Sequence, residues 1–345
     1  MLQVILPGEC SSRLQDVLGY ALSGKRHIKR GAIDPAISGP ILFAANVGAS
    51  GFNIPLCALL QNLRVSSGLL NGRVGGVIID GETELYTKTA GREVVQSANM
   101  CGCTFPGRPL VEGTGSLYNY TVLARNAGIN RLDAYKDEAK DLVERILTYQ
   151  KPAIKRPKIL VLHASNLATS NTLTLWSKVR SYIEEDMDIQ EITLRNGELV
   201  DCRGCSYTTC LHYSESGNCF YGGLMVEEVY PALENCDALL LLCPNYNDAV
   251  GANITAFINR LTALSLKTKF YDKSLFGIVV SGYSGSDIIA RQLISGLNMN
   301  KTFQLPPRFC MMETANDPGS ILELQGIEDR ARSFALNMRQ YLIQE

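Results

Sequence analysis

Three histidines in 345 residues, His27, His163 and His212, are too few for a histidine-rich metal site and leave little material for a hydrolase triad. Positive charge is not in surplus either. Thirty-three Lys and Arg face 34 Asp and Glu, for a net charge of −1, so no nucleic-acid partner is expected. Long apolar runs are missing. Ala238–Cys243 and Phe276–Val280 fall far short of the ~20 residues that span a bilayer, which excludes a membrane role. Met1–Cys10 has no basic cluster followed by an apolar stretch, so no secretory signal is read and a cytoplasmic location is expected. With 46% hydrophobic and 19% charged residues, disorder is excluded as well.

Cysteine, by contrast, is plentiful. Eleven cysteines form an odd count that argues against a fully paired disulfide framework, and in a reducing compartment they read as thiols or metal ligands. The length suits two domains of ~100–200 residues each. Asp133–Tyr149 has helical periodicity, and Lys151–Pro157 then places two prolines and three basic residues in seven positions. That segment, 151–157, reads as a linker between residues 1–150 and 158–345.

Residues 158–345 alternate strand and helix. Strands are expected at Ile159–His163, Ile189–Leu194, Asp237–Cys243, Leu275–Ser281 and near Phe309–Glu313, with helices between them at Thr172–Tyr182, Leu224–Asn235, Ala252–Leu264 and Ser286–Asn298, and a last helix at Glu328–Leu342. This pattern predicts an α/β fold with a doubly wound, five-stranded parallel sheet. The smaller first domain also reads as α/β: strands at Ile41–Ala45 and Gly76–Asp80, helices at Ile54–Val65 and Lys88–Met100, and a helix start in Glu82–Lys88 with Thr83 as its cap. Ala45–Ser50 echoes Ser165–Ser170, which leaves a degenerate internal duplication and chance as equal readings. Glu112–Leu117 is glycine-rich but lacks the third glycine of a dinucleotide fingerprint, and reads as a tight turn.

In a doubly wound sheet, ligands bind outside the carboxyl ends of the strands. Three loops there carry chemistry. Ala164–Thr172 is dense in hydroxyls and amides before a helix N-terminus, which suits a phosphate held by neutral donors, or a simple polar cap. Pro244–Gly251 stops the most buried strand and offers Tyr246 as a flat face among amides, suited to a planar heteroaromatic ring. Ser281–Ser286 has glycines that allow close backbone approach.

These loops resemble the flavodoxin-like NAD(P)H-dependent FMN reductases, including the iron–sulfur flavoproteins, over about residues 158–340. In the first loop Ala164, Ser165, Ser170, Asn171 and Thr172 fit the family frame, with Leu167 where arginine is usual. Pro244, Tyr246, Phe257, Ile258 and Arg260 fit the next signature, with Asn259 replacing an aspartate and Thr255 a frequent lysine. The resemblance implies FMN as cofactor and NAD(P)H as co-substrate. Ser165, Asn166, Ser170, Asn171 and Thr172 would hold the phosphate end. Pro244, Asn245, Tyr246, Asn247, Gly282, Tyr283 and Gly285 would line the ring. It also implies a homo-oligomer in which a neighbouring subunit covers the flavin.

Cys202, Cys205, Cys210 and Cys219 are spaced C-x2-C-x4-C-x8-C. Four thiols within 18 residues suit a [4Fe–4S] cluster, zinc, or no metal at all, as packing or redox-sensitive groups. Iron–sulfur flavoproteins carry a more compact four-cysteine run at this place. Cys10, Cys57, Cys236, Cys243 and Cys310 sit among apolar residues and read as core, as does Trp176. The expected function is therefore hydride transfer from NAD(P)H to FMN and on to a small-molecule or protein acceptor. No catalytic side chain is assigned. The alternatives are an electron-transfer flavoprotein reduced by a partner, and a regulatory or scaffold protein that has lost FMN.

Overall fold

The computed structural model describes residues 1–165, 169–195 and 197–344. The chain divides into two compact units, Met1–Gln150 and Lys151–Glu345.

The C-terminal unit is built from β6 (Lys158–His163), α6 (Asn171–Arg180), β7 (Asp188–Thr193), α7 (Tyr207–Glu215), α8 (Tyr230–Asn235), β8 (Ala238–Pro244), α9 (Ala252–Lys267), β9 (Ser274–Ser281), α10 (Ser286–Leu293), β10 (Cys310–Thr314) and α11 (Ile327–Leu342). Its sheet is parallel throughout, in the order β10-β9-β8-β6-β7. Counted within the unit this is 2-1-3-4-5, the flavodoxin-like order, which reverses between β6 and β8. Register places His163 beside Leu242 and Leu242 beside Ile278. Alternate residues fill one core: Ile159 and Val161, then Ala238, Leu240 and Leu242, then Phe276, Ile278 and Val280, packed with Leu175, Trp176 and Val179 of α6 and with α11. The intervening residues face the other helices, which is why the six residues of β8 from Ala238 to Cys243 are buried.

The N-terminal unit contains β1 (Leu2–Ile5), α1 (Ser12–Ala21), β2 (His27–Arg30), β3 (Ile41–Val47), α2 (Ile54–Val65), β4 (Gly75–Gly81), α3 (Thr87–Met100), β5 (Leu110–Gly113), α4 (Thr121–Ala127) and α5 (Arg131–Thr148). Its sheet is also parallel, in the order β2-β1-β3-β4-β5. This is again 2-1-3-4-5. The α/β expectation thus becomes a second sheet of the same topology.

Topology also corrects the sequence echo. The counterpart of β6 is β1, so the loop that corresponds to Ala164–Ser170 is Leu6–Ser11. Ala45–Ser50 lies at the end of β3, the counterpart of β8, and is matched by position to Pro244–Gly251. The helix after β4 begins at Thr87 rather than near Thr83. Thr83 Oγ1 instead accepts from Leu85 N at 3.3 Å within a turn, and Tyr86 precedes the helix in a left-handed conformation.

Candidate functional site

β6, β8 and β9 all end at the carboxyl edge of the C-terminal sheet, and the loops that follow them start there. Asn245 ties the last two together. Its amide nitrogen donates to Ser284 O at 2.9 Å, Ser281 Oγ at 3.1 Å and Asp248 Oδ1 at 3.2 Å, and its Oδ1 accepts from Asp248 N at 2.9 Å. Ser281 and Ser286 hydroxyls are 2.7 Å apart, and Ser286 donates to Glu313 O, which extends the bracket to β10. Tyr246–Ala249 is a tight hairpin closed by backbone bonds of 3.3 and 3.1 Å. Asn247 and Asp248 both have φ above 50°, a left-handed pair that short Asn and Asp side chains tolerate best. The hairpin lifts Tyr246 into solvent at 59% exposure, and Tyr283 on the neighbouring loop is 84% exposed. Gly285 has φ +86°, and a Cβ there would stand 2.3 Å from Asp248 Oδ1. A Cβ on Gly282 would stand 2.8 Å from Asn316 Oδ1. Gly285 is thus required by its left-handed backbone and by the close approach of the two loops, whereas at Gly282 only the flexible end of Asn316 would have to move.

The first loop is only partly described: Asn166, and Leu167 at the arginine position of the family frame, lie outside the described residues. Ser165 is buried, and its hydroxyl has no partner among the described residues. Ser170 is the N-cap of α6, accepting from Leu173 N at 3.2 Å. Asn171 donates to Asp317 O at 2.8 Å and Ala315 O at 3.2 Å, and accepts from Gly319 N at 2.8 Å. Its side chain is thus committed to the loop after β10. Thr172 is buried in the first turn. The side chains of Ser170, Asn171 and Asn245 are spent within the protein. The groups left to a ligand are Ser165 Oγ, first-turn N–H groups of α6 and the exposed tyrosines. A buried hydroxyl without a partner beside a helix N-terminus fits a phosphate. The donor set that suits FMN is therefore present at both ends of the cofactor.

His163 ends β6 next to this loop. Its Nε2 lies 3.2 Å from Thr193 Oγ1, its Nδ1 has no partner among the described residues, and burial pushes its pKa down. It holds strand ends together, as its position before the loop leads one to expect. Trp176 is buried and donates to Glu191 at 2.9 Å.

Cys202, Cys205, Cys210 and Cys219 line one cavity of about 350 Å³ between the cysteine loop and α9, with Tyr207, Tyr213, Phe220 and Tyr221. No carboxylate lines it. Arg260 does, and is 3% exposed. Among the described residues no three histidines, cysteines or acids are close enough to share a single metal ion. The thiols are gathered around a common space without converging on a point. Burial pushes the Cys210 thiol up. Of the cysteines expected in the core, Cys236, Cys243 and Cys310 are buried, and the Cys236 and Cys243 thiols are pushed up to about 12. Cys57 is exposed and Cys10 half-buried, because an apolar neighbourhood in sequence does not fix the helix face.

The corresponding edge of the N-terminal sheet is filled by its own side chains. Arg13 Nε pairs with Asp80 Oδ1 at 2.8 Å, and its terminal nitrogens donate to the carbonyls of Gly81, Gly113 and Gly115 at 2.7, 3.4 and 3.0 Å. Ser11, the N-cap of α1, donates to Asp80 Oδ2 at 2.8 Å. Glu82 accepts from Ala49 N and Glu84 from Ser116 N, and the Ser116 and Thr114 hydroxyls, together with that backbone bond, hold the Glu84 carboxyl below its ordinary range. Sequence reading passed over this knot, because its members come from four loops far apart in the chain.

No curated protein matches the chain. Among solved structures, an NAD(P)H:quinone oxidoreductase from Methanothermobacter marburgensis is 14% identical, with 53% of this chain and 96% of that one covered and a TM-score of 0.41. Smu.1420 from Streptococcus mutans UA159 is 13% identical, covering 53% and 99% with a TM-score of 0.38. Oxidised flavodoxin 1 from Bacillus cereus is 12% identical, covering 54% and 99% with a TM-score of 0.35. Residues 157–317 match the family model of NADPH-dependent FMN reductase. The C-terminal unit, in its flavodoxin-like strand order, is thus similar over residues 157–317 to the NADPH-dependent FMN reductases.

Proposed function

We propose that the protein binds FMN at the carboxyl ends of β6, β8 and β9 and passes reducing equivalents from NAD(P)H to a small-molecule or protein acceptor. The observation that carries this reading is the buried Ser165 hydroxyl, without a partner among the described residues, on the loop that leads to α6 at the point where strand order reverses. Bound FMN supplies the hydride and electron transfer between NAD(P)H and the acceptor.

The residues of the chain bind and orient. Ser165 Oγ and the first-turn N–H groups of α6, around Thr172, form the phosphate end, with Ser170 capping the helix and Asn171 fixing α6 against the 315–319 loop. Pro244, Tyr246, Asn247, Gly282, Tyr283 and Gly285 form the ring end, and Asn245 holds their two loops in register. No proton-transferring side chain is assigned. Tyr246 and Tyr283 stand in solvent, which supports a homo-oligomer in which a second copy covers the ring.

A second reading concerns the cysteine loop. Cys202, Cys205, Cys210 and Cys219 share one cavity, but among the described residues no three of them are close enough to share a metal ion, which favours packing or redox-sensitive thiols over a [4Fe–4S] cluster.

The test is purification without oxygen, a flavin assay, and NADH and NADPH oxidation with a quinone or free FMN as acceptor. Near-stoichiometric FMN with NAD(P)H turnover is expected. Bound FMN without turnover favours an electron-transfer flavoprotein reduced by a partner. A colourless protein that takes up no added FMN overturns the proposal in favour of a scaffold role.

A further inference from the structure

The Tyr246 hairpin is held from outside its own loop. Its central residues, Asn247 and Asp248, both lie in the left-handed region, with φ of 53° and 57°. Such a pair costs backbone energy in L-residues, so the hairpin keeps its shape only where surrounding bonds hold it. Two backbone bonds between Tyr246 and Ala249 close it, and Asn245 Oδ1 accepts from Asp248 N at its base. A further brace comes from α10. Gln292 Nε2 donates to Asp248 O at 3.0 Å, and its Oε1 accepts from Val250 N at 2.9 Å. One half-buried amide thus spans the returning arm of the hairpin with a donor and an acceptor, as a neighbouring strand would.

Helix geometry explains the reach. Gln292 follows Gly285, the N-cap of α10, by seven residues, which returns it to the same face about 10 Å along the helix. At Gly285 a Cβ would already stand 2.3 Å from Asp248 Oδ1. One face of α10 therefore runs along the hairpin, touching it at both ends. These bonds also decide which groups are left over. Of the N–H groups from Tyr246 to Val250, only that of Asn247, at the tip, has no partner among the described residues. The tip offers this single donor beside the exposed Tyr246 side chain, a combination suited to a flat ring with a polar edge.

We propose that Gln292 is a positioning residue for the flavin ring, and that it locks the Tyr246 hairpin in the conformation that receives the ring. The proposal rests on the FMN reading given above. It assigns Gln292 no contact with the cofactor. The effect passes through Asp248 and Val250, and through them to Tyr246 and the Asn247 N–H. An amide is the side chain this role needs, because it presents a donor and an acceptor at once.

The experiment compares the full chain with two variants. Gln292→Leu removes both bonds. Gln292→Glu keeps the acceptor for Val250 N but sets a carboxylate against the Asp248 carbonyl, and it carries the test if the Leu variant fails to fold. Backbone hydrogen exchange over residues 246–250 is followed by mass spectrometry without flavin. FMN and riboflavin are then titrated by fluorescence; riboflavin lacks the phosphate and so samples the ring end alone. Both variants are expected to exchange faster in the hairpin while β8 and β9 keep the wild-type rate. Both are expected to bind FMN and riboflavin roughly tenfold more weakly, by the same factor for the two ligands. Unchanged exchange in the hairpin, or unchanged flavin affinity in the variants, overturns this proposal alone. So does a loss confined to FMN, which places the effect at the phosphate end, and so does faster exchange throughout β8 and β9 in both variants, which makes Gln292 a support of the fold only. Wild-type protein that binds neither flavin overturns the FMN reading and this proposal together.

Discussion

Ser165 buries a hydroxyl that nothing among the described residues satisfies, at a cost of about 1–3 kcal/mol. Such a group weakens the free protein and strengthens its complex. Ser165→Ala is therefore expected to leave the melting temperature of the FMN-free protein unchanged or slightly raised. The same change weakens FMN binding roughly five- to tenfold, the worth of one neutral hydrogen bond of about 1 kcal/mol. Fluorescence titration of flavin against both proteins checks it, and unchanged affinity removes Ser165 from the site. His163 offers a second residue-scale test. Burial holds its folded pKa below the value of the unfolded chain, with Glu191 partly opposing. As pH falls through about 6.5, the unfolded chain takes up the proton first, so stability is full above that pH and declines below it. Denaturation midpoints measured at about pH 7.5 and 5.5 should fall more for the wild type than for His163→Asn. Parallel declines would remove His163 from the pH dependence.

At the scale of elements, the site is a set of loops that brace one another. Gly285 opens α10 with φ +86° where a Cβ would meet Asp248. Gly285→Ala adds the left-handed strain of about 1–2 kcal/mol and displaces the carboxylate that Asn245 holds. The expected result is destabilisation of about 2 kcal/mol, with FMN affinity lowered at least roughly tenfold, because the Tyr246 hairpin loses its register. Calorimetry and flavin titration of the same variant measure both. Some of this was legible in sequence. Strands β6, β8 and β9 announce themselves by apolar runs, and α2 by Asn53 and Pro55 at its start. Other elements carried no such signal. His27–Arg30 is an edge strand of four mostly polar residues, β1 is a four-residue run, and α7 lies inside the cysteine loop. The engagement of Asn245 was not legible, since its partners Ser281 and Ser284 are 36 and 39 positions away. Asn171 likewise looks like a phosphate ligand by spacing, yet its partners lie 144 to 148 residues downstream.

On the scale of the whole molecule, two sheets share one strand order but only one keeps an available edge. In the N-terminal unit, Arg13 occupies the space between the ends of β4 and β5. It is fixed by Asp80, whose side chain is 5% exposed, and by three glycine carbonyls. Gly113 and Gly115 have no room for a Cβ: one at Gly113 would stand 2.4 Å from Tyr135, and one at Gly115 2.6 Å from Glu82 O. Carboxylates Glu82 and Glu84 cap the backbone N–H groups of Ala49 and Ser116, which are then no longer donors for an anion. A phosphate brought there would have to displace Arg13 from Asp80 or face three acids. The expected stoichiometry is therefore one FMN per chain, although the fold is present twice. Asp80→Asn should leave that ratio at one while lowering stability by about 2–3 kcal/mol, because Arg13 stays half-covered without its carboxylate. Flavin counted against protein by absorption and amino-acid analysis decides the matter. A ratio near two would mean that the Arg13 knot opens for ligand, and that the N-terminal sheet works as its partner sheet does.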